Sequence, residues 1–308
     1  MNQQKANTMT PRELQLLYSE GKNITQAMRE NQGLKENTDE IIEMAYELQS
    51  GSYTKAMANR AFADSKDAYA SELARTILSL GTPSSILEAG VGEATTMAGV
   101  LRHLPPEIPS YGFDLSWSRI AYAKHWLEKH GIANSTLCTG NLFDIPFADN
   151  SVDFVYTSHS IEPNGGKELP IMRELLRVTR RYLILLEPGY EFADTAGQKR
   201  MELHGYCQNL RGTAELLNAK ILDHRLFPFT ANPLNPTAIT IIEKTPICTP
   251  SQHILACPQF KTKLEDKETF LYSPEALAVY PIICGIPCLR RQNAILATQL
   301  NNLASTLR

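Results

Sequence analysis

An α/β fold is predicted: a mainly parallel sheet with helices on both faces, an N-terminal helical segment, and a small α+β domain at the C-terminus. Three observations predict it. Short apolar runs alternate with helical patterns from about residue 68 to residue 245, the order that builds a parallel sheet. The first run, Ser85 to Glu88, enters the turn Ala89-Gly90-Val91-Gly92, and a helical pattern begins at once behind it. The composition, 43% hydrophobic and 20% charged over 308 residues, is that of an ordinary soluble globular chain.

The elements follow in order. Thr10 and Pro11 form a helix cap and first turn, with Leu14, Leu17 and Tyr18 at helical spacing. A second helix is expected from Thr38 to Gln49, ended by Gly51. Asp67 to Leu80 is a helix leading into the first strand. Tyr111 to Asp114 is the second strand, Ser116 to His130 a helix, and Thr136 to Thr139 the third strand. Asp153 to Thr157 and Tyr182 to Glu187 are the fourth and fifth strands, with a helix from Leu169 to Arg180 between them. Gln198 to Leu217 reads as mainly helical. Ala219 to Phe227 and Thr237 to Glu243 are two more strands, joined only by a Pro/Asn-rich loop and so antiparallel at an edge. Arg290 to Leu307 is expected to be a terminal amphipathic helix. The boundaries are 1–67, 68–246 and 247–308.

Composition excludes some partners. No run of eighteen apolar residues is present, so no membrane span is expected. A net charge of −3 gives nucleic acid no support. The first eight residues have no apolar core, so a signal peptide is not expected. Six cysteines, none in a Cys-x-x-Cys pair, point to reduced thiols and a cytoplasmic location. Monomer and homodimer are left open.

The glycine turn and the acid that follows it carry the chemistry. Gly90 and Gly92 let a ligand approach the backbone closely, and Asp114, about twenty residues on, ends a strand where an acid can bind both ribose hydroxyls. Together, Leu87-Glu88-Ala89-Gly90-Val91-Gly92 and Gly112-Phe113-Asp114-Leu115-Ser116 resemble the first two motifs of class I S-adenosylmethionine-dependent methyltransferases. The resemblance covers roughly residues 68–245. It implies a Rossmann-like sheet, S-adenosyl-L-methionine as cofactor, and an N-terminal helical lid, for which Tyr46 and Tyr53 are candidates. It implies Asn141 and Leu142 for the adenine, with Phe143 as another cover for the ring.

The ends of strands in such a sheet gather at one rim. The cofactor side is therefore expected to comprise Glu88, Ala89, Gly90, Gly92, Asp114, Leu115, Asn141, Leu142 and Ser158. His159 is the candidate general base, since an imidazole suits proton removal near neutral pH. Glu162 and His204 are the next catalytic candidates, and Tyr190 and Glu191 could bind a polar acceptor.

Residues 257–289 resemble a small Trm112-like domain: Cys257-Pro258 early, then Tyr280-Pro281-Ile282-Ile283-Cys284-Gly285-Ile286-Pro287-Cys288-Leu289. Phe260 stands where that domain has its second cysteine and Tyr272 near the third, so no metal is expected. The acceptor is expected to be a polar small molecule: a sugar, a nucleotide sugar or a metabolite. The alternative implied by the C-terminal resemblance is an RNA or protein of the translation apparatus, and a cofactor fold kept only as a binding scaffold is a third reading.

Overall fold

The computed structural model describes residues 9–303. The first eight residues and the final stretch of the expected terminal helix, 304–307, lie outside them.

The N-terminal segment holds four helices: α1 (Pro11–Ser19), α2 (Ile24–Gln32), α3 (Asp39–Gln49) and α4 (Ser52–Ala56). Thr10 and Glu13 make a reciprocal capping box on α1, and Thr38 caps α3 by accepting from the Ile41 N–H. Gly51, at φ +85°, turns the chain between α3 and α4. The sequence reading missed α2, which Asn23 caps and Gly33 closes in the left-handed conformation. Its Ile24 and Met28 pack with Leu14 and Ile41 in a small core of their own.

α5 (Arg60–Leu80) starts seven residues earlier than expected, because Asn59 caps it. It leads into β1 (Ile86–Ala89), α6 (Thr95–Leu101), β2 (Ser110–Asp114), α7 (Trp117–Lys129) and β3 (Ser135–Thr139). β4 (Val152–Ser158), α8 (Glu168–Val178) and β5 (Thr179–Pro188) follow, then α9 (Thr195–His204), α10 (Leu210–Leu216), β6 (Lys220–Leu226) and β7 (Thr237–Glu243). Gly205, at φ +68°, ends α9, so the single helical stretch expected over 198–217 is two helices.

The seven strands lie in the order β3-β2-β1-β4-β5-β7-β6. All pairs are parallel except those made by β7, which is antiparallel to both neighbours. Strand order reverses between β1 and β4, and ligands bind at that point in open sheets of this kind. Core residues fill both faces of the sheet: Phe154, Ile184 and Ile239 on one, Val155, Leu183 and Ile242 on the other. At the amino ends of the strands, buried Asp153 accepts from Arg180, Arg181 and the Ser84 N–H. Burial opposes its charge, yet these donors hold its carboxyl below the usual range.

The C-terminal segment forms a small second sheet from β8 (Glu265–Asp266), β9 (Phe270–Ser273), β10 (Ala278–Ile283), β11 (Ile286–Pro287) and β12 (Ile295–Leu296). Its Leu264, Leu271, Tyr280 and Leu289 join the core beneath β3 and β4. Cys288 bridges to Thr139 beside β3, so this module covers an edge of the main sheet that would otherwise be open. The helix expected from Arg290 is absent over 290–299: Ile295 and Leu296 pair with Val279 and Ala278 instead. Among the described residues of that stretch, Arg291–Asn293 form a single 3₁₀ turn and Leu300–Leu303 a short α-helix.

Cys257 lies against the Tyr280 hydroxyl, 3.6 Å from its sulfur, and Cys284 is exposed. Among the described residues, no group of three His, Cys, Asp or Glu side chains is arranged to hold a metal. Elemental analysis of the purified, dialysed protein is expected to find well under one zinc per chain. A stoichiometric zinc that survives dialysis would contradict this.

Candidate active site

The carboxyl ends of the strands open into a cavity of about 390 Å³, closed on its far side by α3, α4 and the start of α5. The glycine turn forms its floor. The Gly90 and Val91 N–H groups both donate to the Phe113 carbonyl, at 2.9 Å, and tie the turn to β2. A Cβ at Gly90 would stand 2.2 Å from that of Ser160, and one at Gly92 would lie 2.8 Å from an Arg119 nitrogen. Both glycines also have positive φ, and at Gly90 the clash is with the Cβ of Ser160, so a side chain there would have to displace Ser160.

Asp114 ends β2 and is 5% exposed. One carboxylate oxygen accepts from the Gly92 N–H and the other from the Ser116 N–H, each at 2.9 Å. Each oxygen keeps a further lone pair for a ligand in the cavity. Asn141 donates its amide to Asp39 of α3 at 2.5 Å and accepts from the Phe143 N–H. Asp39 thus joins Asn141, Leu142 and Phe143 on one wall.

Buried charges line the opposite wall. Burial pushes the Glu88 carboxyl up to about 8, against a hydrogen bond from the Tyr156 hydroxyl and the charge of Lys66. Burial also lowers the Lys66 amine, which donates to Thr96. Glu93, 2% exposed, accepts from the N–H groups of Gly51, Tyr53 and Thr54 and from the Thr54 hydroxyl. That carboxylate pins α4 and brings Tyr53 to the cavity. The Arg119 guanidinium stands 4.8 Å from the Tyr46 ring centroid and 5.3 Å from that of Tyr53.

The segment after β4 is shaped by Glu187, at the end of β5 and 1% exposed. Its carboxylate accepts the N–H groups of Ser160, Ile161 and Glu162. Burial pushes its pKa up to about 7. The turn it holds puts His159 at φ +56°, a left-handed conformation unusual for a residue with a side chain. His159 Nδ1 lies 2.5 Å from Glu162 Oε2, and Nε2 lies 2.9 Å from the Thr237 hydroxyl. Burial works against an imidazolium, but Glu162 outweighs it and raises the His159 pKa. The same pairing lowers that of Glu162.

Eight of the nine residues expected on the cofactor side line this cavity: Glu88, Gly90, Gly92, Asp114, Leu115, Asn141, Leu142 and Ser158. Ala89 does not, but its carbonyl accepts from the Ser160 hydroxyl at 2.7 Å and fixes the floor. His159 and Glu162 line it as a pair. His204 does not reach it. It lies on α9 beside a second cavity of about 310 Å³, with its ring stacked on Tyr206. Tyr190 bonds Glu202 and Glu191 pairs with His224, so neither lines the first cavity. Sequence reasoning missed Asp39, Lys66, Glu93, Arg119, Asn235 and Thr237, all on the cavity wall. Glu93 alone had a local signal, since it directly follows the glycine turn.

The residues present fit an adenosylated amino acid. Asp114 would hold a ribose, the Asp39–Asn141 wall an adenine, and Lys66 with Glu88 a carboxylate and an ammonium. The Arg119 Nε is buried without a partner among the described residues, as in a site that expects a ligand.

Comparison with known proteins agrees. Residues 86–181 match a family described as a methyltransferase domain. The demethylmenaquinone methyltransferases of Geobacillus kaustophilus and Geobacillus stearothermophilus are each 28% identical over 94 residues, 30% of this chain. The chain matches 40% of the length of these curated relatives. The solved structure of magnesium protoporphyrin IX methyltransferase from Synechocystis PCC 6803 with bound S-adenosylhomocysteine covers 68% of this chain and 100% of its own, at 14% identity and a TM-score of 0.53. At that identity the likeness is one of fold. The fold resembles that of the solved methyltransferase, and residues 86–181 of the chain match a methyltransferase domain. No helix among the described residues is long and apolar enough to cross a membrane.

Replacing Asp114 by Ala removes the carboxylate that would hold the ribose. Each charge-assisted hydrogen bond contributes about 1.5–3 kcal/mol, so the affinity for S-adenosylhomocysteine is expected to fall roughly ten- to a hundredfold. Calorimetry checks this, and unchanged affinity would remove Asp114 from the site.

Proposed function

We propose that this chain moves a methyl group from S-adenosylmethionine to a hydroxyl of a polar small molecule such as a sugar, a nucleotide sugar or a metabolite. One observation carries the reading. Besides apolar residues such as Phe62 and Phe229, the cavity wall carries a set of neutral hydrogen-bonding groups: Ser158, Asn164, Asn232, Asn235 and Thr237. Asn235 is 9% exposed, and its carbonyl oxygen is buried without a partner among the described residues. Such an oxygen is costly unless a ligand donates to it. Tyr69 adds a hydroxyl, 3.0 Å from that of Ser158. These groups can hold the hydroxyls of a polar acceptor, and those from Asn232 onward lie outside the matched residues 86–181.

The bound cofactor supplies an electrophilic methyl on a sulfonium. What remains for the protein is to align the acceptor, exclude water and take one proton. Glu162 orients the imidazole by accepting from Nδ1–H, which leaves Nε2 as the base. Thr237 donates to Nε2 in the absence of acceptor, and the acceptor hydroxyl takes its place. Tyr46 and Tyr53 on the helical lid keep water from the site. The Trm112-like resemblance of residues 257–289 supports a module that stabilises this lid, since Arg290 makes a bidentate pair with Glu43 of α3.

The test is kinetic. His159→Asn is expected to lower methyl transfer about 10²–10⁴-fold while cofactor affinity stays within a few fold. Only neutral His159 accepts a proton, and Glu162 raises its pKa. The wild-type rate should therefore rise with pH through an apparent pKa above histidine's ordinary value. In Glu162→Gln that midpoint should move down. Loss of cofactor binding with normal single-turnover rates at saturation would make His159 a cofactor contact instead.

A further inference from the structure

The second cavity, of about 310 Å³, lies between the lid helices and α9. Ile42, Tyr46 and Glu162 belong to the walls of both cavities, so the two adjoin across these side chains. We propose that the second cavity holds the anionic end of the acceptor, a carboxylate or a phosphate. The proposal rests on reading the first cavity as the methyl-transfer site and extends it to the class of substrate.

Charge is the first argument. Lys22, Arg200 and His204 line the second cavity, and Glu162 is its lone carboxylate among the described lining residues. Glu162 is already engaged, by His159 and by the Asn235 amide at 3.3 Å. Arg29 stands close by and donates to the Leu203 carbonyl. The wall thus carries uncompensated positive charge. Burial first, and then the charges of Arg200 and Arg29, lower the His204 pKa, so the positive charge is that of Lys22 and Arg200 and not of His204.

Unmet hydrogen bonding is the second argument. Arg200 Nη1 is buried and has no partner among the described residues. A guanidinium is a planar fork that matches a carboxylate or a phosphate with two parallel bonds, and burying one of its donors unpaired is unfavourable. Asn37, 5% exposed, spends its amide nitrogen on the Pro163 and His204 carbonyls and leaves its oxygen unpartnered in the same cavity. It can accept from a hydroxyl next to the anion.

The third argument is the scaffold. Arg200 and His204 sit one turn apart on α9, so both face the same way. The Arg200 guanidinium is 5.6 Å from the Tyr206 ring centroid, which limits its rotamers. An acceptor with its hydroxyl at His159 and its anion at Arg200 would span the Glu162 partition.

The test uses the full chain with S-adenosylhomocysteine present, so that Lys66 and Arg119 are screened from added anions. Pyrophosphate and malonate are titrated separately by calorimetry into wild type, Arg200→Gln, Arg200→Lys and Lys22→Gln. At least one anion is expected to bind wild type, and its affinity to fall at least tenfold in Arg200→Gln and severalfold in Lys22→Gln. Arg200→Lys should lose less than Arg200→Gln, and S-adenosylhomocysteine affinity should stay within a few fold in all variants. A preference for pyrophosphate assigns a phosphate, and one for malonate a carboxylate. Should Arg200→Gln fail to fold, Lys22→Gln, on the exposed turn after α1, carries the comparison. No anion binding, or equal binding in wild type and variants, overturns the proposal. If wild type binds the anion but not S-adenosylhomocysteine, the cofactor reading fails and the anion site stands.

Discussion

The site depends on one buried carboxylate. Glu187 ends β5 beneath the segment that follows β4, and it gathers the N–H groups of Ser160, Ile161 and Glu162. A buried carboxylate is expensive, and its raised pKa shows that cost. The return is geometric. The same grip holds His159 in a left-handed backbone conformation that costs on the order of 1–3 kcal/mol elsewhere. It lays Glu162 beside the imidazole and brings Ser160 against the glycine turn, close enough that a side chain at Gly90 would have to displace it. The placement of His159, Glu162 and Ser160 against the glycine turn thus depends on a single side chain that need not touch any ligand.

A second set of acids ties the lid to the same rim. Glu93 reaches up from the glycine turn to cap α4, and Glu47 of α3 reaches down to Ser116 and Ser118 beside Asp114. Asp39 meets Asn141, and Glu43 meets Arg290 from the C-terminal module. These bonds run between segments remote in sequence and all end within a turn of the cavity. The C-terminal module therefore contacts α3 as well as covering the β3 edge.

What the sequence made legible is local. Strand, glycine turn and helix at 86–101 and the acid at 114 are each contained in a few consecutive residues. The antiparallel β7 was legible because the loop from Leu226 to Thr237 is too short for a crossover helix. The expected helix from Arg290 failed because an amphipathic pattern does not reveal that Ile295 and Leu296 have a strand waiting at Val279 and Ala278. Lys66, Arg119, Asn235 and Thr237 escaped notice for a related reason. They come from three segments, and only the folded sheet brings them to one cavity. His204 was readable as a histidine near the rim, but not as a member of the neighbouring cavity, since Tyr206 and the turn at Gly205 decide where it faces.

The central claim is that the turn held by Glu187 presents His159 to the reacting end of a bound cofactor. A crystal structure of the full chain with S-adenosylhomocysteine tests it most directly. The account predicts the ribose on Asp114, the adenine between Asn141 and Leu142, and the sulfur facing the His159 and Thr237 side of the cavity. A ligand whose sulfur faces away from that side, with Glu187 and its turn unchanged, would contradict it.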